Sequence, residues 1–391
     1  MRKITADTVF PVSAEPVPEG VIITDDQGLV LEVTSRDDHD PASLEIYRGA
    51  IIPGFINTHC HLELSHMKGL VPTGTTLLPF LYSVVAYRDF PMEVILDAIE
   101  QAGRDMYEAG IMAVGDISNK LDTTRHKDNS PIRYYTFVEM FDFLQNDLAE
   151  STFARYYEVY KGQSVRNGNH KSCVPHAPYT VSPELFRLIN QANAPGQTVS
   201  IHNQETPLEN ELFQSKSGGF LEFYQKFGFP LDHFTPTQKS SIHYALEHMR
   251  PDTRVLFVHN TTTQPEDIRA AQDWNAQVFW ATCPNANLYI ENALPYYQHF
   301  LDTGAVVTIG TDSLTSNWQL SILEEMKTIA RYQSYVPFET LLQWATLNGA
   351  RALGFDDSLG SIEPGKKPGL LLLNLEADLK LTQDTRVRRL V

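Results

Sequence analysis

Ile51-Ile52-Pro53-Gly54-Phe55-Ile56-Asn57-Thr58-His59-Cys60-His61 is an apolar run that ends in two histidines two residues apart. On a strand, residues i and i+2 point to the same face. Both imidazoles can then aim at one point, where a metal ion can sit. Imidazole is a usual nitrogen ligand for zinc, and a catalytic zinc keeps one position open for water. A lone His-x-His is weak evidence, so the reading depends on whether polar residues recur at the ends of later apolar runs.

Seven further strand-like runs do follow: Ile111–Asp116, Tyr134–Glu139, Ser172–His176, Thr198–His202, Arg254–His259, Gln277–Thr282 and Ala305–Asp312. Helical patterns lie between most of them, clearest over Pro91–Ala109 and Asn317–Gln333, with apolar residues at helical spacing. Alternating strands and helices imply a parallel sheet. Eight repeats predict a closed (β/α)8 TIM barrel, for which about 250 residues is typical. The 300 residues from Pro53 to Ala352 are enough for one. Upstream, Val21–Thr24, the turn cluster Asp25-Asp26-Gln27-Gly28 and Leu29–Val33 read as a hairpin. Downstream, Gly369–Leu375 reads as another strand. The expected fold is therefore α/β: residues 53–352 as the barrel, and residues 1–52 and 353–391 together as a small β-sandwich domain built from both termini.

Composition narrows the function. The chain of 391 residues has 31 basic and 48 acidic residues, a formal charge of −17. An acidic surface repels phosphate backbones, so no nucleic-acid partner is expected. No apolar stretch approaches the roughly 20 residues of a membrane helix, so no membrane association is expected either. Arg2 and Lys3 are not followed by an apolar segment, which argues against a signal peptide. Cys60, Cys173 and Cys283 are widely spaced and form no CxxC pair. They fit a reducing compartment, and the expected location is cytoplasmic.

In a (β/α)8 barrel the C-terminal ends of the strands carry the active site. His59 and His61 close the first strand, His202 the fifth and Asp312 the eighth. Three imidazoles and one carboxylate suit zinc or iron(II) better than magnesium. His259 closes the sixth strand and reads as a group that orients water beside the metal. Glu205 follows His202 by three residues, where a carboxylate can take a proton from water and hand it to a leaving group; a helix N-terminal carboxylate is the competing reading. His176, Glu63 and Glu139 are candidates for substrate contact. For Glu139 and for Asp116 a structural hydrogen bond is the competing reading. Cys60 alternates away from the metal and reads as core, and the aromatic stretch Tyr289–Tyr297 as packing.

These residues resemble the amidohydrolase superfamily, and within it the branch of aminohydrolases that deaminate nucleobases, nucleosides and related heterocycles. Pro53–His61 resembles the first-strand signature. Pro175-His176-Ala177-Pro178-Tyr179-Thr180-Val181-Ser182 resembles the fourth-strand segment of adenosyl-homocysteine and methylthioadenosine deaminases. His202-Asn203-Gln204-Glu205, Cys283-Pro284-Asn285-Ala286-Asn287-Leu288 and Gly310-Thr311-Asp312-Ser313 are similar to three further motifs, and Ala345–Ala350 and Gly360–Lys366 to the tail that re-enters the small domain. His61-Leu62-Glu63-Leu64-Ser65 resembles the variant found in aminodeoxyfutalosine deaminases.

The resemblance implies one divalent metal held by His59, His61, His202 and Asp312, with His259 and Asp312 handling the attacking water and Glu205 shuttling the proton. Metal-bound hydroxide then adds to an amidine-like ring carbon and ammonia leaves. Two-metal members bridge their ions with a modified lysine on the fourth strand; here Lys171 lies just before that run, which argues against a second ion. Ala286 and Asn260 depart from the family pattern, and both differences bear on the substrate pocket. A small-molecule substrate and a homodimer are expectations of the same kind. The competing enzyme reading is hydrolysis of a cyclic amide or a chlorinated triazine. The non-enzymatic one, a metal-binding scaffold, would need a missing ligand or shuttle, and none is missing.

Overall fold

The computed structural model describes residues 1–376 and 378–391. Eight parallel strands form its centre: β1 (Phe55–Cys60), β2 (Ile111–Ile117), β3 (Arg133–Met140), β4 (His170–Pro175), β5 (Thr198–Asn203), β6 (Arg254–His259), β7 (Val278–Thr282) and β8 (Val307–Ile309). They make two four-stranded arcs, β4-β3-β2-β1 and β5-β6-β7-β8. One seam closes where the His202 N–H donates to the His176 carbonyl at 2.9 Å. The other closes where the N–H groups of Thr311 and Asp312 both donate to the His59 carbonyl at 3.0 Å. The predicted barrel is thus present, and its second seam is made by the very residues that carry the site.

The strands are apolar along their whole length because both faces are covered, as parallel barrels require. Val255, Leu256, Phe257 and Val258 of β6 are all fully buried. The helix Met92–Glu108 covers the outside with Ile95, Ile99, Ala102 and Met106, one stripe at helical spacing. The run Asn317–Gln333 is helical only over Ile322–Tyr332. The Asn317 side chain prevents an earlier start: its Oδ1 accepts from the Trp318 N–H at 2.7 Å and its Nδ2 donates to the Thr311 carbonyl at 2.7 Å. Such local bonds compete with a helical turn.

The run Ala305–Asp312 is likewise cut to Val307–Ile309, leaving Asp312 three residues beyond the strand. Its backbone is left-handed there, with φ +58°.

Both termini supply the small β-domain. One sheet runs Val30–Ser35, Gly20–Thr24, Arg2–Thr5, Glu45–Ile46; the other runs Val387–Arg389, Leu370–Leu373, Ala50–Pro53, Thr8–Val9, Val17–Pro18. Leu370–Leu373 pairs antiparallel with Ala50–Pro53, directly before β1. Ile4, Val9, Ile22, Ile51, Ile362 and Leu370 form a separate core there. The expected hairpin turn holds because Asp25 Oδ1 accepts from the N–H groups of both Gln27 and Leu29 at 2.8 Å. Among the described residues no helix is long and apolar enough to cross a membrane.

Candidate active site and metal centre

His59 Nε2 lies 3.2 Å from His61 Nε2. Asp312 Oδ1 is 3.5 Å from the first and 3.3 Å from the second. The His202 ring is 4.9 Å from His59 and the His259 ring 5.4 Å from His202, centroid to centroid. Ligand atoms of His59, His61 and His202 lie within 4.8 Å of one another, and so do those of His59, His259 and Asp312. Residues from strand ends far apart in sequence therefore converge on one point.

The convergence at β1 is not simple alternation. The pairing of β1 with β2 slips between Asn57 and Cys60, and such an irregularity re-aims side chains. His61 lies one residue past the strand. Cys60 faces the core, fully buried. The close approach of β8 requires Gly310, because a Cβ there would fall 2.8 Å from the Cβ of His59.

Charge states fit a metal. Burial pushes His59 and His61 down to about 4, so both keep lone pairs at neutral pH. Burial disfavours the Asp312 carboxylate, but a hydrogen bond from His59 and the neighbouring His61 and His259 hold it well below its ordinary range. Two neutral imidazole nitrogens 3.2 Å apart beside a carboxylate make a poor contact for one another and a good donor set for a cation.

His202 is different. Burial opposes its charge, yet the adjacent Glu139 carboxylate pulls it up to about 9. Its Nδ1 lies 2.9 Å from the His176 carbonyl and 3.2 Å from Glu139 Oε1. A ligand histidine keeps one N–H bonded in this way, and the metal takes the place of the other proton.

Around this cluster stand the other candidates. Glu205 Oε1 is 3.7 Å from His259 Nε2. Burial raises the Glu205 carboxyl to about 8, and its N–H donates to Glu209 Oε1 at 2.8 Å. It lies two residues before the helix Pro207–Ser215 and is 5% exposed. His259 is pushed down to about 4, again by burial, and its backbone is left-handed with φ +73°. Left-handed non-glycine residues cost about 1–3 kcal/mol each and gather at functional sites.

His176 Nδ1 is bonded to Thr180 Oγ1 at 2.8 Å. Glu63 Oε2 accepts from the N–H of Asn119 at 2.9 Å and of Lys120 at 3.2 Å, and burial raises its carboxyl to about 7. Glu63, Glu139 and His176 all line the cavity that opens over the cluster. Lys171, at the start of β4, donates to the carbonyls of Tyr160 and Gln163 at 2.8 and 2.7 Å.

Two supports were not assigned from sequence, and a third, Asp116, was read there only as a strand-end acid open to a structural hydrogen bond. Asn287 Oδ1 bonds His259 Nδ1 at 2.9 Å. Ser316 Oγ donates to Asp312 Oδ2. Asp116 Oδ1 accepts from the Leu62 N–H at 2.8 Å while its other oxygen pairs with Lys127 Nζ at 2.6 Å. Asn287 was within reach, since it ends the Cys283–Asn287 motif; Ser316 and Lys127 carry no local signal.

Residues 50–389 match the model of the amidohydrolase family. The chain belongs to that family. This amidohydrolase is 28% identical over 359 residues to the aminodeoxyfutalosine deaminase of a Nitratiruptor species, an alignment covering 89% of the chain and 83% of the relative. Among solved structures it is similar to the aminofutalosine deaminase of Helicobacter pylori in complex with methylthio-coformycin. The TM-score is 0.81 at 23% identity, with 96% of this chain and 93% of that one covered. It is also similar to an adenosine deaminase of Xanthomonas campestris with bound zinc, at a TM-score of 0.71 and 21% identity, covering 98% and 86%. At such identities the two structures speak for the fold of the amidohydrolase alone.

Proposed function

We propose that this amidohydrolase is a hydrolytic deaminase of an amino-purine nucleoside or a related amino-substituted N-heterocycle. The observation that carries the reading is the buried Glu205–His259 pair, 3.7 Å apart and set against the His59–His61–His202–Asp312 cluster. Loss of ammonia needs both a placed water and a group that delivers protons. The activities named for its relatives support the same reading.

His59, His61, His202 and Asp312 would hold one divalent ion, zinc or iron(II). When bound, such an ion supplies Lewis acidity that brings the pKa of water to about 7. The chain supplies the rest. With its Nδ1–H donated to Asn287, His259 keeps a lone pair on Nε2 that orients the water. The Glu205 carboxylate can receive a proton from the water at Oε1; burial raises its acid form to about 8, so near neutral pH it can hand that proton to the ring nitrogen, and the second proton of the same water can pass to the departing amine. Asp312, ionised and steadied by Ser316, draws a hydrogen bond from the same water. His176, Glu63 and Glu139 contact the heterocycle, and the apolar cavity walls exclude bulk water.

The test is ammonia release by purified, zinc-loaded protein on adenosine, adenosyl-homocysteine, methylthioadenosine, aminodeoxyfutalosine, guanine and ammelide, beside a cyclic amide and a chlorinated triazine. Turnover of at least one amino-purine is expected. Turnover of the cyclic amide or the chlorotriazine alone overturns the proposal.

A further inference from the structure

Asn287 holds His259, and the turn after β8 carries Asp312; both segments are tied to one buried acid. Glu325 lies in the first turn of the helix Ile322–Tyr332 and is fully buried. Its Oε2 accepts from the Asn285 N–H at 2.8 Å. Its Oε1 accepts from the side-chain amides of Asn285 at 2.9 Å and of Asn317 at 2.8 Å. Neither Glu325 nor either asparagine lines the cavity over the metal centre.

The helix dipole ordinarily accounts for a carboxylate in a first turn. The neighbouring Glu324 fits that account, half exposed and paired with Lys327 at 2.7 Å. Glu325 is turned the other way. Burying a carboxylate is costly unless donors surround it. All three donors that meet Glu325 come from outside its own helix.

Those donors belong to the segments that carry the water-handling residues. Asn317 Nδ2 also donates to the Thr311 carbonyl at 2.7 Å, and Thr311 immediately precedes Asp312. Asn285 stands in the helix Pro284–Glu291, the helix of Asn287, which meets His259 at Nδ1 and reaches its carbonyl at 3.4 Å. The orientation of both amides is fixed. Asn285 Oδ1 accepts from Thr328 Oγ1 at 2.6 Å, and Asn317 Oδ1 from the Trp318 N–H at 2.7 Å. Their nitrogens are thereby turned to the carboxylate. Asp312 and His259 are both left-handed, a conformation that persists only where the surroundings over-determine it.

We propose that Glu325 is a positioning residue for the reaction: one carboxylate ties the Asp312 turn to the helix that orients His259, and so fixes the two water-handling groups relative to each other. This rests on the deaminase reading above. Glu325 acts through Asn317 and Asn285 and touches neither substrate nor water. A misplacement of about 1 Å caused far from the chemistry can cost about 100-fold in rate. The loss belongs in kcat rather than KM, because the cavity walls are left as they are.

The test compares native zinc-loaded protein with Glu325→Gln, Glu325→Asp and Leu323→Ala, on the amino-purine turned over fastest in the panel above. Whichever oxygen the glutamine nitrogen replaces, it meets a donor. Glu325→Gln is expected to lower kcat about 10–100-fold with KM unchanged. Glu325→Asp keeps both acceptors on a shorter stem and should fall between. Leu323, buried on the same helix, is the control: its truncation lowers the urea midpoint by leaving a cavity but should leave kcat unchanged. A fall in Glu325→Gln smaller than about 10-fold, a change confined to KM, or an equal fall in Leu323→Ala overturns the proposal while leaving deamination intact. If Glu325→Gln does not fold, Glu325→Asp decides: a lowered kcat at unchanged KM supports the proposal, and a native kcat overturns it. If the native protein releases no ammonia from any amino-purine, the deaminase reading fails. The rate of zinc loss to a chelator then decides the role of Glu325: faster loss from Glu325→Gln than from native protein and Leu323→Ala supports it, and equal rates overturn it.

Discussion

At the scale of single residues, burial sets the chemistry. The same desolvation that empties His59, His61 and His259 of their protons fills Glu205, whose carboxyl is raised to about 8. Glu205→Gln keeps size and hydrogen bonding but cannot pass a proton. Its kcat for ammonia release is expected to fall about 10²–10⁴-fold, with metal content by elemental analysis unchanged; a fall under tenfold would remove Glu205 from that role. Gly310 tests a different demand. Gly310→Ala places a methyl 2.8 Å from His59 Cβ and 3.0 Å from its backbone nitrogen. Overpacking of this kind costs about 1–3 kcal/mol, read as a lowered urea midpoint, and displacement of His59 should weaken metal retention in parallel. The clustering of His59, His61, His202 and Asp312 was legible because each ends an apolar run. Asn287 was not assigned, because its partner His259 lies on another element, and Ser316 was not, because its bond to Asp312 depends on the turn that follows β8.

At the scale of elements, the segment after β1 shows how a site is aimed. The short helix Leu62–Met67 carries Glu63 and His66, and its first N–H is held by Asp116 at the end of β2. Asp116 in turn pairs with Lys127, which also donates to Ser118 and Thr136 at 2.9 and 3.0 Å. All four side chains are buried. Lys127→Met leaves a buried carboxylate without its cation, a loss of about 3–5 kcal/mol in denaturant unfolding. The double variant Lys127→Met with Asp116→Asn should recover part of that loss; no recovery would show that the pair itself is not what Lys127 serves. The sequence marked Asp116 as a polar strand end and allowed it a structural hydrogen bond. Lys127, on a short helix, offered no hint of burial.

At the scale of the whole molecule, the metal cluster is also a seam. His59 and Asp312 join β1 to the loop after β8, and Asn57 reinforces the join by bonding Thr311 through both side-chain and backbone atoms at 2.8 and 3.1 Å. An ion held there binds the folded chain and not the unfolded one. Removing it with a chelator should lower the thermal midpoint, by the equivalent of about 4 kcal/mol if the ion was present at a thousand times its Kd. Restoring zinc should restore the midpoint. An unchanged melting curve after complete removal would mean that the barrel closes without help from the ion.

The periodic parts of this molecule were readable along the chain. Eight apolar runs, the helices between them and the polar residues at their ends follow from local rules: alternation, helical spacing and the burial of parallel strands on both faces. Even the pairing of the two termini was foreshadowed by unpartnered strands at each end. What remained for the tertiary structure has a common cause. The shift at β1, the left-handed turns at His259 and Asp312, the truncation of β8, and the partners of His259 and His202 all arise when residues distant in sequence come together. Asn57 and Thr311 stand 254 positions apart. Such contacts form only when the barrel closes, and no local pattern encodes which atoms will then lie within hydrogen-bonding reach.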